Sequence, residues 1–293
     1  MHDIAIVIGH LGAGGSQRVV SVLANSWTEH GLRVCIATHT PAEQDFYVLD
    51  PRITRLTWGR PEASAGPFQA VAANIQRILE LRRRLIETSA PTVLAFITVA
   101  NIQTILASIG LGIRVVISER NDPAQQSHGW VWDLLRRRLY RSADLVTANT
   151  HGGLAAMKSY VSPTKLAYVP NPLIPGELVD LAKGSQLIIS IGRLTNQKGH
   201  DVLIQAFSKI ANKRKDWRLV IVGSGPLKRR LEGQVRELGL TGLASIVDII
   251  KDPFSVYQNA SMFVLPSRFE GMPNALLEAM GCGLPVVVTD PSP

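Results

Sequence analysis

Short apolar runs recur along this chain with a helical pattern between nearly every pair, and that alternation limits the fold more than any other feature. Ile4–Ile8 is followed by a helix expected from about Gly15 to Glu29. Val34–Ala37, Ile53–Trp58, Val93–Ile97, Val115–Ile117 and Leu145–Ala148 continue the series, with a long helix expected over about Gln69–Glu87. Strand and helix in turn predict a parallel sheet covered on both faces. The prolines and glycine of Val169-Pro170-Asn171-Pro172-Leu173-Ile174-Pro175-Gly176 then read as a linker. A second series follows at Leu187–Ile191, Leu219–Val222, Ile246–Ile250, Met262–Leu265 and Val286–Val288. Two doubly wound α/β domains are expected, 1–172 and 173–293, with a cleft between them. Ligands bind such sheets beyond the carboxyl ends of the strands.

Size and composition agree with this. The 293 residues suffice for two domains with their own cores, and 46% hydrophobic against 18% charged residues argues for a globular chain. The net charge of +8 is spread over both halves, with clusters at Arg82-Arg83-Arg84 and at Arg136-Arg137-Arg138 with Arg141. Such clusters read as solvated helix faces or as a surface for anionic lipid headgroups or phosphorylated substrates. Nucleic acid is disfavoured, because no aromatic or motif pattern accompanies the charge. Cys35 and Cys282, far apart in a long chain, suggest reduced thiols in a cytoplasmic protein. No signal peptide is visible, since the chain enters a strand at once. The stretch from Thr88 to Ile113 lacks charge, but Pro91, Asn101, Gln103, Gly110 and Gly112 interrupt it. It reads as a buried strand–helix unit and not as a membrane span.

Chemistry concentrates near the carboxyl terminus, in Pro266-Ser267-Arg268-Phe269-Glu270-Gly271-Met272-Pro273-Asn274-Ala275-Leu276-Leu277-Glu278-Ala279-Met280-Gly281-Cys282-Gly283-Leu284-Pro285. Glu270 and Gly271 sit in a turn after the strand. Pro273 falls at the expected first residue of a helix, where its missing N–H costs nothing, and Gly281 and Gly283 stop that helix. The free amides at the helix start face the same crevice as Glu270, so an anion and a polar ring could bind side by side. Glu278 shares a polar stripe with Asn274, while Leu276, Leu277 and Met280 are expected to pack inward. A pair of glutamates alone would read as a solvated helix face.

The whole string, however, closely resembles the donor-site signature of the family 4 retaining glycosyltransferases, which have the GT-B architecture of two Rossmann-like domains. The resemblance implies that Glu270 contacts the donor sugar and Glu278 the ribose hydroxyls of the nucleotide, with Gly271, Met272, Pro273 and Asn274 lining the donor. Gly192-Arg193-Leu194-Thr195-Asn196-Gln197-Lys198-Gly199 resembles the family's second donor motif. There Arg193 and Lys198 would grip the diphosphate, where preplaced cations stabilise the charge of a departing nucleoside diphosphate.

Weaker signals lie in the first domain. Gly12-Ala13-Gly14-Gly15-Ser16-Gln17-Arg18 is a glycine-rich turn that lets amides approach a phosphate, or an ordinary strand-to-helix turn. The family has a Gly-Gly loop here facing the donor phosphate or acceptor, so Gly14, Gly15 and Arg18 are candidates, although Gln17 stands where a glutamate is usual. Ser118-Glu119-Arg120-Asn121-Asp122-Pro123 resembles an element of the branch that builds surface polysaccharides and lipid-linked oligosaccharides. Glu119 or Arg120 is expected to contact acceptor or donor, or to form a structural ion pair or turn cap. Val222-Gly223-Ser224-Gly225-Pro226 reads as a close-packed turn near the nucleotide.

The chain has no Asp-x-Asp and no His/Cys cluster with metal spacing; His10, His39, His128, His151 and His200 are scattered. No cofactor and a metal-independent reaction are expected. The resemblance implies a cytoplasmic enzyme, peripheral on the inner membrane face, that moves a sugar from a nucleotide diphosphate, UDP above GDP, to a glycan or polyprenyl-diphosphate-linked glycan acceptor. Family members usually run on beyond the equivalent of Asp290, so the second domain is expected to be incomplete. That leaves an inactive nucleotide-sugar-binding fragment as the alternative. A sugar-nucleotide epimerase would explain the fold but not the donor string.

Overall fold

In the computed structural model the chain divides into two compact units, Met1–Pro172 and Leu173–Pro293. The structure describes residues 1–59, 67–120, 129–173, 176–180 and 185–290, without the side chains of 67 and 68. Asn121–Pro123, His128, Ile174, Pro175 and Pro291–Pro293 fall outside the described residues.

The first unit holds a parallel sheet of β1 (Ile4–Val7), β2 (Val34–Thr38), β3 (Thr54–Thr57), β4 (Thr92–Phe96), β5 (Arg114–Glu119), β6 (Leu145–Ala148) and β7 (Leu166–Tyr168), in the order β3-β2-β1-β4-β5-β6-β7. Helices α1 (Gly15–Glu29), α2 (Pro67–Thr88), α3 (Thr98–Ser108), α4 (Trp130–Leu139) and α5 (His151–Met157) connect the strands. The apolar strands bury side chains on both faces: Ile6, Ile8 and Ile36 pack with α1, while Val7, Val93 and Ile117 pack on the side of α2, α3 and α4. The uncharged stretch from Thr88 to Ile113 forms β4 and α3. Helix α3 packs against both α2 and α4, which explains its buried surface. No helix among the described residues is long and apolar enough to cross a membrane.

The second unit repeats the plan with β8 (Leu187–Ile191), β9 (Arg218–Val222), β10 (Ala244–Val247), β11 (Met262–Leu265) and β12 (Val286–Val288), ordered β10-β9-β8-β11-β12. Helices α6 (His200–Ala211), α7 (Lys228–Glu237), α8 (Phe254–Tyr257) and α9 (Asn274–Gly281) link them. In each unit the strand order reverses direction once, between β1 and β4 and between β8 and β11. Loops diverge to opposite faces there and leave room for a ligand at the carboxyl edge.

Several boundaries differ from the sequence expectation. Strand β10 lies at 244–247 and not 246–250, because it pairs from Ala244 opposite Leu219 to Val247 opposite Val222. Strand β7, within the short apolar run Leu166-Ala167-Tyr168-Val169, is a three-residue edge that the sequence expectation did not include. Pro273 caps α9 in an extended conformation (φ −77°, ψ 114°), one residue before the helix. The orientation of α9 also corrects the expected stripe. Met280 is 55% exposed, whereas Glu278 is buried and Ala275, Leu276 and Ala279 face the core. Both cysteines are buried free thiols, and burial pushes the Cys35 thiol up to about 12.

Candidate active site

The carboxyl ends of β8 and β11 stand side by side at the reversal of the second sheet, and the loops that follow them are tied together. Arg268 forms a two-pronged ion pair with Asp201 (3.0 and 2.8 Å) and donates from Nη1 to the Asn196 carbonyl (2.6 Å). The Arg268 amide donates to the Gln197 carbonyl, and Gln197 Nε2 donates to the Phe269 carbonyl. The hydrogen bonds from Arg268 hold the Asp201 carboxyl below its usual range. Gly199 sits in the left-handed region at φ 63°, and a Cβ there would lie 2.0 Å from the Pro266 carbonyl oxygen. Only glycine permits that approach.

This stitching brings Lys198 and Glu270 together across 72 positions of sequence. Lys198 Nζ lies 2.5 Å from Glu270 Oε1, with side-chain exposures of 14% and 15%. Ser267 Oγ donates to the same carboxylate oxygen at 2.6 Å, and Thr289 in turn holds the Ser267 carbonyl. The stem of Lys198 lies against Gly192, where a Cβ would come within 3.3 Å. Arg193 is exposed and donates to Gln197 Oε1 at 3.3 Å, so it joins the same loop pair. A cation and a carboxylate, each partly open to solvent, therefore share one corner. Such a corner can bind an anion on one side and sugar hydroxyls on the other.

Glu278 has a different setting. It is 8% exposed and accepts a hydrogen bond from the buried Tyr257 hydroxyl at 3.2 Å, which also donates to the Ala275 carbonyl. Gly271, Met272, Pro273 and Asn274 are half-buried between Glu270 and the body of α9. Next to Lys198, His200 is buried with Nδ1 unpartnered, and burial together with the Lys198 charge holds its imidazole down to about 4.

In the first unit, Gly14 caps α1 and Gly15 begins it. A Cβ on Gly14 would meet Gln17 Oε1 at 2.3 Å, and Gln17 is buried with its amide 3.3 Å from His10 Nε2. Arg18 lies over the Tyr47 ring, whose hydroxyl bonds the Gly14 backbone. Glu119 ends β5 in a buried network: Tyr140 OH (2.8 Å) and Thr98 Oγ1 (3.0 Å) donate to Oε2, and the Arg120 amide to Oε1. Burial first and the Glu119 charge second raise the Tyr140 phenol well above its ordinary range, and the hydrogen bond that Asn101 Nδ2 donates to its oxygen opposes them. Ile97, before α3, has φ 75°, an arrangement costing a β-branched residue ~1–3 kcal/mol. Its amide bond to Ser118 holds it.

Sequence reasoning passed over Ser267, Tyr257, Asp201 and Arg268 as partners, and Tyr140, Thr98 and Asn101 in the first unit. Ser267 and Arg268 stand inside the donor string, three and two residues before Glu270, which was the available signal. Tyr257, Tyr140 and Asp201 lie on other elements and carry no local mark.

The chain belongs to the glycosyltransferases: "Glycosyl transferase 4-like domain" matches residues 14–172 and "Glycosyl transferases group 1" matches residues 185–292. It is an enzyme of GT-B fold. A similar protein is the GalNAc-alpha-(1->4)-GalNAc-alpha-(1->3)-diNAcBac-PP-undecaprenol alpha-1,4-N-acetyl-D-galactosaminyltransferase of Campylobacter jejuni, 27% identical over 96% of this chain and 77% of that protein. Another C. jejuni protein, the N-acetylgalactosamine-N,N'-diacetylbacillosaminyl-diphospho-undecaprenol 4-alpha-N-acetylgalactosaminyltransferase, is 27% identical over 99% of this chain and 81% of its own length. Among solved structures, Anabaena HepE in complex with UDP and glucose superposes with a TM-score of 0.76 at 16% identity, over 98% of this chain and 80% of that one.

Proposed function

We propose that the chain transfers a sugar, with retention of anomeric configuration, from a UDP-sugar to a glycan carried on a polyprenyl diphosphate. The observation that carries this reading is the contact of Lys198 with Glu270 at the reversal of the second sheet, with Arg193 on the same loop pair. As the sugar–phosphate bond breaks, negative charge grows on the departing diphosphate. Lys198 and Arg193 meet that charge without reorganising, and their proximity supplies the stabilisation for which other enzymes use a divalent cation. Transfer is therefore expected to proceed unchanged in EDTA.

Glu270, held by Lys198 and Ser267, presents its remaining lone pairs to hydroxyls of the donor ring. Glu278, backed by Tyr257, accepts from the ribose hydroxyls, and Gly271 to Asn274 bring the amides at the start of α9 to the phosphates. Gly14 and Gly15, at the start of α1, are the candidate phosphate-side residues of the first unit. The acceptor assignment rests on the C. jejuni relatives, whose names specify undecaprenyl-diphosphate glycans. UDP as the nucleotide rests on the HepE complex.

The exposed face of α4 favours a peripheral place on an anionic membrane. Trp130, Val131 and Leu134 are exposed beside Arg137 and Arg138, while Arg136 turns inward to pair with Asp133. Sedimentation with phosphatidylglycerol vesicles, set against neutral ones, tests that attachment. For the reaction, UDP-sugars are screened for transfer to lipid-linked acceptors, with Glu270→Gln as control. Transfer by the wild type and loss of at least ~100-fold in the variant is expected. Binding of UDP with no turnover on any acceptor would instead fit a fragment that only binds.

A further inference from the structure

Arg120 is a buried cation whose coordination is unfinished. It is 8% exposed, yet among the described residues its guanidinium has one hydrogen bond, from Nη1 to Asn171 Oδ1 at 2.8 Å. Its Nε is buried with no partner. The neighbouring Glu119 does not neutralise it by contact, because that carboxylate is taken up by Tyr140, Thr98 and the Arg120 amide. Leaving a guanidinium dry and without an acid partner is costly, enough to lower its pKa to about 10 through desolvation. A buried charged donor left unpaired at the carboxyl edge of a doubly wound sheet stands where a ligand can complete it.

Its surroundings fix its aim. The guanidinium carbon lies 5.0 Å from the centre of the Phe96 ring, within cation–π range. Asn171 Oδ1 accepts from Arg120 and also from Asn149 Nδ2 at 3.2 Å, so the Nη1 side is anchored. The Nε edge is the one that grips carboxylate or phosphate oxygens in pairs. Arg120 follows β5, Asn149 follows β6 and Asn171 lies just beyond β7, three adjacent parallel strands whose carboxyl ends form one edge. That edge is where doubly wound sheets take ligands.

From this geometry we infer that Arg120, positioned by Phe96, Asn149 and Asn171, binds a phosphoryl or diphosphate group of a substrate in the first unit. The inference rests on the glycosyltransferase reading only for the source of the anion: the acceptor's lipid diphosphate or the donor's. Glu119 acts behind it as a positioning residue that locks the end of β5.

Calorimetric titration of the full chain and of Arg120→Gln and Arg120→Lys, with UDP and with farnesyl diphosphate, tests it. Loss of about tenfold or more in affinity for one probe in Arg120→Gln, with partial recovery in Arg120→Lys, supports the site. The affected probe identifies the source: farnesyl diphosphate means the acceptor side, UDP the donor side. Without a probe, Arg120→Gln should melt no lower than wild type, since an unpaired buried charge has been removed. Unchanged affinity for both probes overturns the inference, whether or not the variant melts lower. Wild type that binds farnesyl diphosphate through Arg120 but not UDP leaves this site standing and removes the UDP donor reading. Wild type that binds neither probe removes both.

Discussion

The carboxyl edges of the two parallel sheets differ in what they do with charge. Beyond β8 and β11, Lys198 and Glu270 meet each other with a small part of each side chain open to solvent, and Arg193 is exposed beside them. Around the end of β5 in the first unit, Glu119, Thr98, Tyr140 and Asn101 are sealed from water and spend their hydrogen bonds on one another. Open charge can exchange its partner for a ligand, whereas a network sealed from water chiefly holds its shape. On the proposed reading the edge beyond β8 and β11 serves the substrate and the other chiefly rigidity, with Arg120 as its exception.

The largest expected effect separates the two edges by activity. Lys198→Met should lower sugar transfer by about 100- to 1,000-fold and weaken UDP binding, because it removes a preplaced cation from the leaving group. Steady-state kinetics and calorimetry measure both. A variant as active as wild type would move the catalytic charge elsewhere. Gly199→Ala comes next: its Cβ would collide with the Pro266 carbonyl, so the loops after β8 and β11 must part. A loss of about 2–4 kcal/mol in stability of the second unit is expected, with activity falling alongside. Hydrogen exchange of α6 reports it.

The pH response is a third distinction. His200 has a folded pKa of about 4 against an ordinary 6.5. The unfolded chain therefore takes up the proton first, so the contribution of this residue is complete above pH 6.5 and is lost as pH falls toward 4. The loss amounts to about 3 kcal/mol and should appear as weaker protection of α6, with His200→Leu flattening the profile. The smallest effect belongs to the first unit. Tyr140→Phe removes one donor from Glu119 and should cost about 1–2 kcal/mol in stability while leaving UDP affinity as it was. A change in UDP affinity would blur the contrast between the edges.

How much of this was legible in the sequence follows the same division. The strands of the second unit at Leu187–Ile191, Met262–Leu265 and Val286–Val288 stand where their apolar runs put them, because buried parallel strands need no alternation and turn residues bound them. The edge strand β7 escaped notice, since its apolar run, 166–169, is short and runs straight into the prolines of the linker. Candidate site residues were nameable from the sequence where they occupy one contiguous string, as Glu270 to Glu278 do. Partners delivered by distant elements were not: Asp201 on α6 meets Arg268, and Tyr257 on α8 meets Glu278. The stripe on α9 was misread because Glu278 and Asn274 share spacing, while a buried tyrosine hydroxyl, invisible to periodicity, turns Glu278 inward and leaves Met280 outside.

Hydrogen exchange of the full chain with and without UDP tests most directly whether the edge beyond β8 and β11 is the nucleotide site. Protection is predicted in two stretches, Gly192 to His200 and Ser267 to Glu278, and should vanish in Lys198→Met. Protection confined to Met1–Pro172, or equal protection in the variant, would contradict the account.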